Sequence, residues 1–216
     1  MAADTTAWTV ASLVWALAYL ACGVQTTASL TQQLQNPVWM FSGDNNGTIL
    51  ELPSVPAAGL ATVTGSLVFG IGTQSNNAVG NATVMTTDNA GNITTQFHGA
   101  SYNQSFIDSG SNGIFFLDSA TTGLPNCPAP NTGFYCPASP ANFAATNVGA
   151  NGHSNNVNFT IVNASTLAPA FSAFNDVGGP NSGSFDWGLP FFFGRNVFTA
   201  IESQSTPAGA GPFFAY

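Results

Sequence analysis

The residues with the clearest chemical reach are Phe106-Ile107-Asp108-Ser109-Gly110-Ser111. A carboxylate ends a hydrophobic run, small hydrogen-bonding residues come directly after it, and a second apolar run opens at Ile114-Phe115-Phe116. A carboxylate held this way can accept from the backbone N–H of Gly110, and the hydroxyls of Ser109 and Ser111 can fix its orientation. Such a group suits acid–base work on a water molecule. Asp-Ser-Gly is also ordinary β-turn chemistry, because all three residues favour turns. Both readings are open on these residues alone.

Other candidates are few. His98 and His153 stand far apart, with no carboxylate or cysteine at ligand spacing, so they are read as polar residues at strand or loop edges. No metal and no cofactor is expected, since no P-loop, no nucleophile elbow and no glycine-rich dinucleotide signature occurs. Asp186-Trp187-Gly188 lacks a hydroxyl in its middle position and comes after the polar run Asn181-Ser182-Gly183-Ser184, so it is read as structural. Arg195, the sole cation among Lys and Arg, is expected to pair with Asp186 or Glu202.

The elements that must position Asp108 are short strands. Thr48 to Leu52, Thr62 to Ile71, Ala82 to Thr87, Ile93 to His98 and Ser105 to Ile107 are β-branched and aromatic runs. Later strands are expected at Phe143 to Val148, Val157 to Val162 and Phe191 to Phe193, and a hairpin loop at Asp88 to Asn92. Helix is expected only at Thr27 to Gln35 and Ala164 to Phe174. The expectation is an all-β fold of mostly antiparallel strands with short helices, spanning residues 25–216.

The surface must be solvated by amides and hydroxyls, because charged residues make up only 5% of the chain and the formal charge is −8. No cationic stripe can neutralise phosphates or anionic lipid, which excludes nucleic acid and a lipid headgroup surface as partners. Disorder is excluded by a 44% hydrophobic share, which gives a core to bury. Residues 1–24 form an uncharged run from Ala7 to Val24, read either as a signal-like or anchoring segment or as an apolar helix packed on the following domain. Cys127 and Cys136 bracket a Pro-, Asn- and Gly-rich turn and are expected to form a disulfide, leaving Cys22 unpaired. Composition and cysteine usage together indicate an extracytoplasmic location.

The flanks of Asp108 carry a resemblance. Phe106-Ile107-Asp108-Ser109-Gly110-Ser111 resembles the catalytic motif of pepsin-like aspartic peptidases, and Phe192-Phe193-Gly194 resembles the glycine-closed strand that threads beside it. Gly65 to Gly72 is similar to the strand that opens their C-terminal lobe. Asp44 to Gly47, Phe69 to Asn77, Gly133 to Pro137 and Phe185 to Arg195 resemble an uncharacterised bacterial exported family, a domain of unknown function itself similar to pepsins. The resemblance runs from about Gln32 to Tyr216 and implies a single pepsin-like lobe, with Asp108, Ser109, Gly110 and Ser111 at a catalytic turn.

Pepsin-type catalysis uses two carboxyls that share a proton around one water. The motif occurs once, so the expected partners are a peptide or protein substrate and a second lobe or second copy of the chain that brings another carboxylate. The competing expectation is a non-catalytic exported β module that keeps the fold for surface or binding purposes.

Overall fold

Short β-branched and aromatic runs, broken by Gly, Asn and Pro, become fourteen strands among the residues described by the computed structural model, 36–216. The expected apolar segment 1–24, the helix Thr27 to Gln35 and Cys22 lie outside the described residues. The strands are β1 (Gly47–Leu52), β2 (Ser66–Phe69), β3 (Val84–Thr86), β4 (Ile93–Phe97), β5 (Ala100–Ile107), β6 (Ile114–Leu117) and β7 (Ala141–Val148). They continue as β8 (Ser154–Ile161), β9 (Gly178–Gly179), β10 (Asn181–Trp187), β11 (Arg195–Ala200), β12 (Ser205–Thr206), β13 (Gly209–Ala210) and β14 (Phe213–Ala215). The fold is mostly β, a near-closed, barrel-like sheet.

Five strands run in the order β2-β1-β11-β14-β3, and seven in the order β8-β7-β4-β5-β10-β6-β9. Most neighbours are antiparallel; β5 with β10 and β6 with β9 are parallel.

Four expected elements take another form. Asp88 to Asn92 is not a hairpin loop, because β3 pairs with β14 in one sheet and β4 with β5 and β7 in the other. The strand expected from Thr62 to Ile71 is only Ser66–Phe69. Phe191 to Phe193 is not a strand: Leu189–Phe192 is one helical turn with Pro190 in its first positions, where a missing N–H costs nothing. The strand comes instead at β11, after Gly194 turns the chain at φ 77°. The helix expected from Ala164 to Phe174 shrinks to a 3-10 turn, Ala164–Thr166, capped by the Asn163 side chain accepting from Ser165 N at 3.0 Å. Pro169 has no N–H to continue it, and the chain turns again where Phe171 N donates to Ala168 O.

The main core is aromatic. Phe185 stacks on Phe116 and on Trp187, with centroids 5.2 and 5.3 Å apart, and Phe159 meets the edges of Phe116 and Trp187. Such pairs add about 0.5–1.5 kcal/mol each beyond the area they bury. A buried polar chain crosses this core: Trp187 Nε1 donates to Thr95 Oγ1 at 3.1 Å, Thr95 Oγ1 to Asn147 Oδ1 at 2.7 Å, and Asn147 Nδ2 to the Tyr216 hydroxyl at 3.1 Å. Every link is satisfied, so the chain fixes one arrangement of β4, β7, β10 and the C-terminus rather than leaving unpaired groups. A second apolar cluster, Ile49, Ile71, Phe198 and Phe213, lies on the five-stranded sheet.

Cys127 and Cys136 are bonded, as their spacing indicates. Cys127 N donates to Phe134 O and Cys136 N to Pro125 O, so the backbone itself closes the turn. Replacing both cysteines by serine is expected to lower stability by about 2–3 kcal/mol, the closure entropy of so short a loop. Chemical denaturation of the double variant measures it, and an unchanged midpoint would mean that the turn's backbone bonds hold it without the disulfide.

Candidate functional site

The strand order places β10 between β5 and β6, hydrogen-bonded to both. Asp186 is level with Phe106 of β5 and with Phe115 of β6; Trp187 is level with Ile107 and Ile114. Consecutive strands β5 and β6 are therefore not neighbours, and their connection, Asp108 to Gly113, must arch over the end of β10. Asp108 N donates to Trp187 O at 3.1 Å, and Leu189 N to Ser111 O at 2.7 Å. Gly188 passes so close beneath the arch that a Cβ there would lie 2.0 Å from Gly113 O and 2.7 Å from Ser111 O. Its φ of −71° suits any residue, so the close approach alone demands glycine. The pepsin-like resemblance implies this threading role for Phe192-Phe193-Gly194. That segment lies elsewhere, with Gly194 N on Leu52 O at 3.0 Å, and a Cβ at Gly194 would lie only 2.6 Å from Ser54 Oγ.

Beneath the arch three side chains meet. Gly110 N donates to Asp108 Oδ1 at 2.8 Å. Ser111 Oγ lies 3.2 Å from Asp108 Oδ2 and 2.5 Å from Asp186 Oδ2. Asp108, Ser109 and Ser111 are half-buried, whereas Asp186 is 8% exposed and its Oδ1 has no hydrogen-bond partner. Burial pushes the Asp186 carboxyl up to about 7; the Ser111 hydroxyl opposes that rise and the charge of Asp108 adds to it. A serine hydroxyl carries one hydrogen and cannot serve two carboxylates fully. With a proton on Asp186 the shortage disappears: Asp186 donates to Ser111 Oγ, and Ser111 donates to Asp108. Ser109 makes no hydrogen bond to Asp108.

Asp186 is thus the residue that sequence reading set aside as structural. Its polar approach, Asn181 to Ser184, masks a strand that bulges between Asn181 and Phe185, where Gly183 takes φ 82°. Nor does Arg195 pair with Asp186 or Glu202. Its Nη1 donates to Phe191 O at 2.5 Å, and its guanidinium sits 4.7 Å from the centre of the Phe191 ring. His98 stacks on Phe97, and His153 Nδ1 lies 3.0 Å from Val84 O. Among the described residues no three His, Cys, Asp or Glu side chains gather as a metal ion would require. No helix among them is long and apolar enough to cross a membrane.

Fold and site define the class: a mostly β protein whose sheet brings two carboxyl groups of one chain onto a single hydroxyl. The chain belongs to the DUF3443 family, described as a protein of unknown function, whose family model matches residues 3–216. A search of curated proteins finds no match.

Asp186 makes stability depend on pH. Its carboxyl is raised in the fold from the ordinary value of 3.8 to about 7, so the folded state binds the extra proton between those values. Its contribution to stability is then greatest below about pH 4, falls as pH rises towards about 7, and is level above it. Asp186→Asn is expected to flatten that slope and to raise stability above neutral pH by roughly a few kcal/mol. Thermal midpoints from pH 4 to 8 test this; parallel slopes in the two proteins would contradict it. Gly188→Ala is expected to destabilise by about 2–4 kcal/mol, because two carbonyls of the arch must move.

Proposed function

We propose that this protein is a hydrolase of the aspartic-peptidase kind, with Asp108 as its working carboxylate and Asp186 as a proton store behind it. The observation that carries this reading is the single Ser111 hydroxyl within reach of both carboxyls, 3.2 Å from one and 2.5 Å from the other. Two further features support it. Gly110 N–H and the Ser111 hydroxyl meet the two oxygens of Asp108, the hold that an Asp-Ser-Gly-Ser turn offers a catalytic carboxylate. A glycine-closed strand passes beside that turn, as the pepsin-like resemblance implies, with Gly188 as the glycine.

In this reading Asp108 takes a proton from a water whose oxygen attacks a peptide carbonyl carbon. The tetrahedral adduct collapses with cleavage of the C–N bond, and the same proton passes from Asp108 to the departing nitrogen. Ser111 and protonated Asp186 keep one hydrogen bond on Asp108 throughout. Asp186 is a positioning residue, since only Asp108 and its turn reach solvent. General acid–base help of this kind is worth about 10²–10⁴ in rate. The disulfide Cys127–Cys136 fits an oxidising, extracytoplasmic setting.

A second copy of the chain facing the same turn is the other way to complete a site, since Asp108 and exposed Asn112 lie at the surface. Cleavage of a denatured protein substrate, measured across pH and protein concentration, separates these readings. The in-chain site is expected to give concentration-independent specific activity that fades as pH rises through about 7, when Asp186 loses its proton. Asp108→Asn should abolish it. Asp186→Asn, whose amide keeps a donor on Ser111, should extend activity above neutral pH, whereas Asp186→Ala should lose it. Specific activity that rises with concentration would assign the site to a dimer. No cleavage under any condition would overturn the hydrolase and leave a non-catalytic exported β module.

A further inference from the structure

A cavity of about 310 Å³ lies between β8 and the helical turn Leu189–Phe192, apart from the Asp108 turn. Its apolar wall includes Phe159, Phe191 and Phe193, and its polar groups include Asn175, Asp176 and Arg195. That size, with a mostly apolar wall and a few convergent polar groups, is the form of a small-molecule site near the lower end of the usual range.

The polar groups are left incomplete by the protein itself. Asp176 is 5% exposed, and its Oδ1 is buried with no hydrogen-bond partner. Beside it the Asn175 amide donates to Val55 O at 2.8 Å, but the amide oxygen is likewise buried and unpartnered. Two adjacent acceptors therefore lack donors, a costly arrangement unless something supplies them. Arg195 has the opposite want. It is the only Lys or Arg in the chain, burial holds its guanidinium below the ordinary range, and among the described residues no carboxylate pairs with it. Its bond to Phe191 O leaves further N–H donors for an anion.

We propose that this cavity binds an apolar amino acid, free or as the C-terminal residue of a peptide, with its carboxylate on Arg195 and its α-nitrogen donating to the Asn175 and Asp176 oxygens, to both as a free ammonium and to one as a peptide N–H. The aromatic wall takes the side chain. Donor meets acceptor, anion meets cation, and apolar meets apolar, so each unmet group of the cavity is matched by one part of the free amino acid. The site stands independently of hydrolysis at Asp108.

Titration calorimetry or ligand-observed NMR with the full chain tests it, using leucine, N-acetyl-leucine and leucinamide as probes. Saturable binding of leucine or N-acetyl-leucine is expected, with leucinamide weaker by about tenfold or more because it lacks the anion. Tighter binding of N-acetyl-leucine identifies a peptide terminus as the source, and tighter binding of leucine identifies the free amino acid. Arg195→Met and Asp176→Leu should each weaken binding by about tenfold, with circular dichroism confirming the fold. If either variant fails to fold, the comparison with leucinamide on the wild-type chain still decides. Asp108→Asn should bind as the wild type does, so loss of cleavage and loss of binding are separate results. Absence of saturable binding by both acids, or equal binding of leucinamide, would overturn the proposal.

Discussion

The insertion of β10 between β5 and β6 is the constraint on which the rest of the structure depends. Two strands consecutive in sequence would ordinarily pair through a tight turn; here a strand from some 75 residues later occupies the space between them. The arch from Asp108 to Gly113 is then held by the residues just past the end of β10: Leu189 N bonds Ser111 O, and Gly188 lies against Gly113 O. Only a residue without a Cβ allows that approach. Alternation along the strand does the remainder. Phe185 and Trp187 are fully buried in the aromatic core, so Asp186 between them must point to the opposite face, where Ser111 stands. The residues that anchor β10 thereby aim the carboxyl.

That placement sets a trade between packing and charge. An ionised carboxylate taken out of water costs several kcal/mol unless it is paired, and Asp186 has no cationic partner. Holding a proton is the cheaper state, and it turns Asp186 from an acceptor into a donor for Ser111. The aromatic stack and the chain from Trp187 through Thr95 and Asn147 to Tyr216 hold the strand rigidly enough to keep Asp186 buried. A looser β10 would let water reach the carboxyl and return it to an ordinary acid.

Much of the scaffold was legible in the sequence, because β1, β4, β7 and β8 are local runs of β-branched and aromatic residues with clear breaks. The turn Asp108 to Ser111 and the Cys127–Cys136 bond were legible for the same reason: each depends on residues within a few positions. Asp186 was not. Its partner lies 75 positions away, and its strand begins with Asn181-Ser182-Gly183-Ser184, which carries neither hydrophobic alternation nor β-branched residues. The helical turn at Pro190 was mistaken for a strand because three aromatic residues are equally at home in a buried helix. That Asp176 Oδ1 lacks a donor is likewise a tertiary fact.

The scarcity of Lys and Arg explains why the buried acids are managed as they are. A protein with ordinary composition can set a guanidinium or ammonium against a buried carboxylate; this chain has one such group, and it faces a phenyl ring and a backbone carbonyl. Its buried carboxyls, Asp176 and Asp186, are instead both raised above the ordinary carboxylate range, chiefly by burial. Hydroxyls and amides then take the part that cations play elsewhere. A serine hydroxyl is a weaker counterpart than a cation, but it both accepts and donates, so it can link two carboxyls where a cation would only neutralise them. A charge-poor sequence is therefore suited to a fold in which one hydroxyl links two carboxyls and the buried one, Asp186, keeps its proton up to about pH 7.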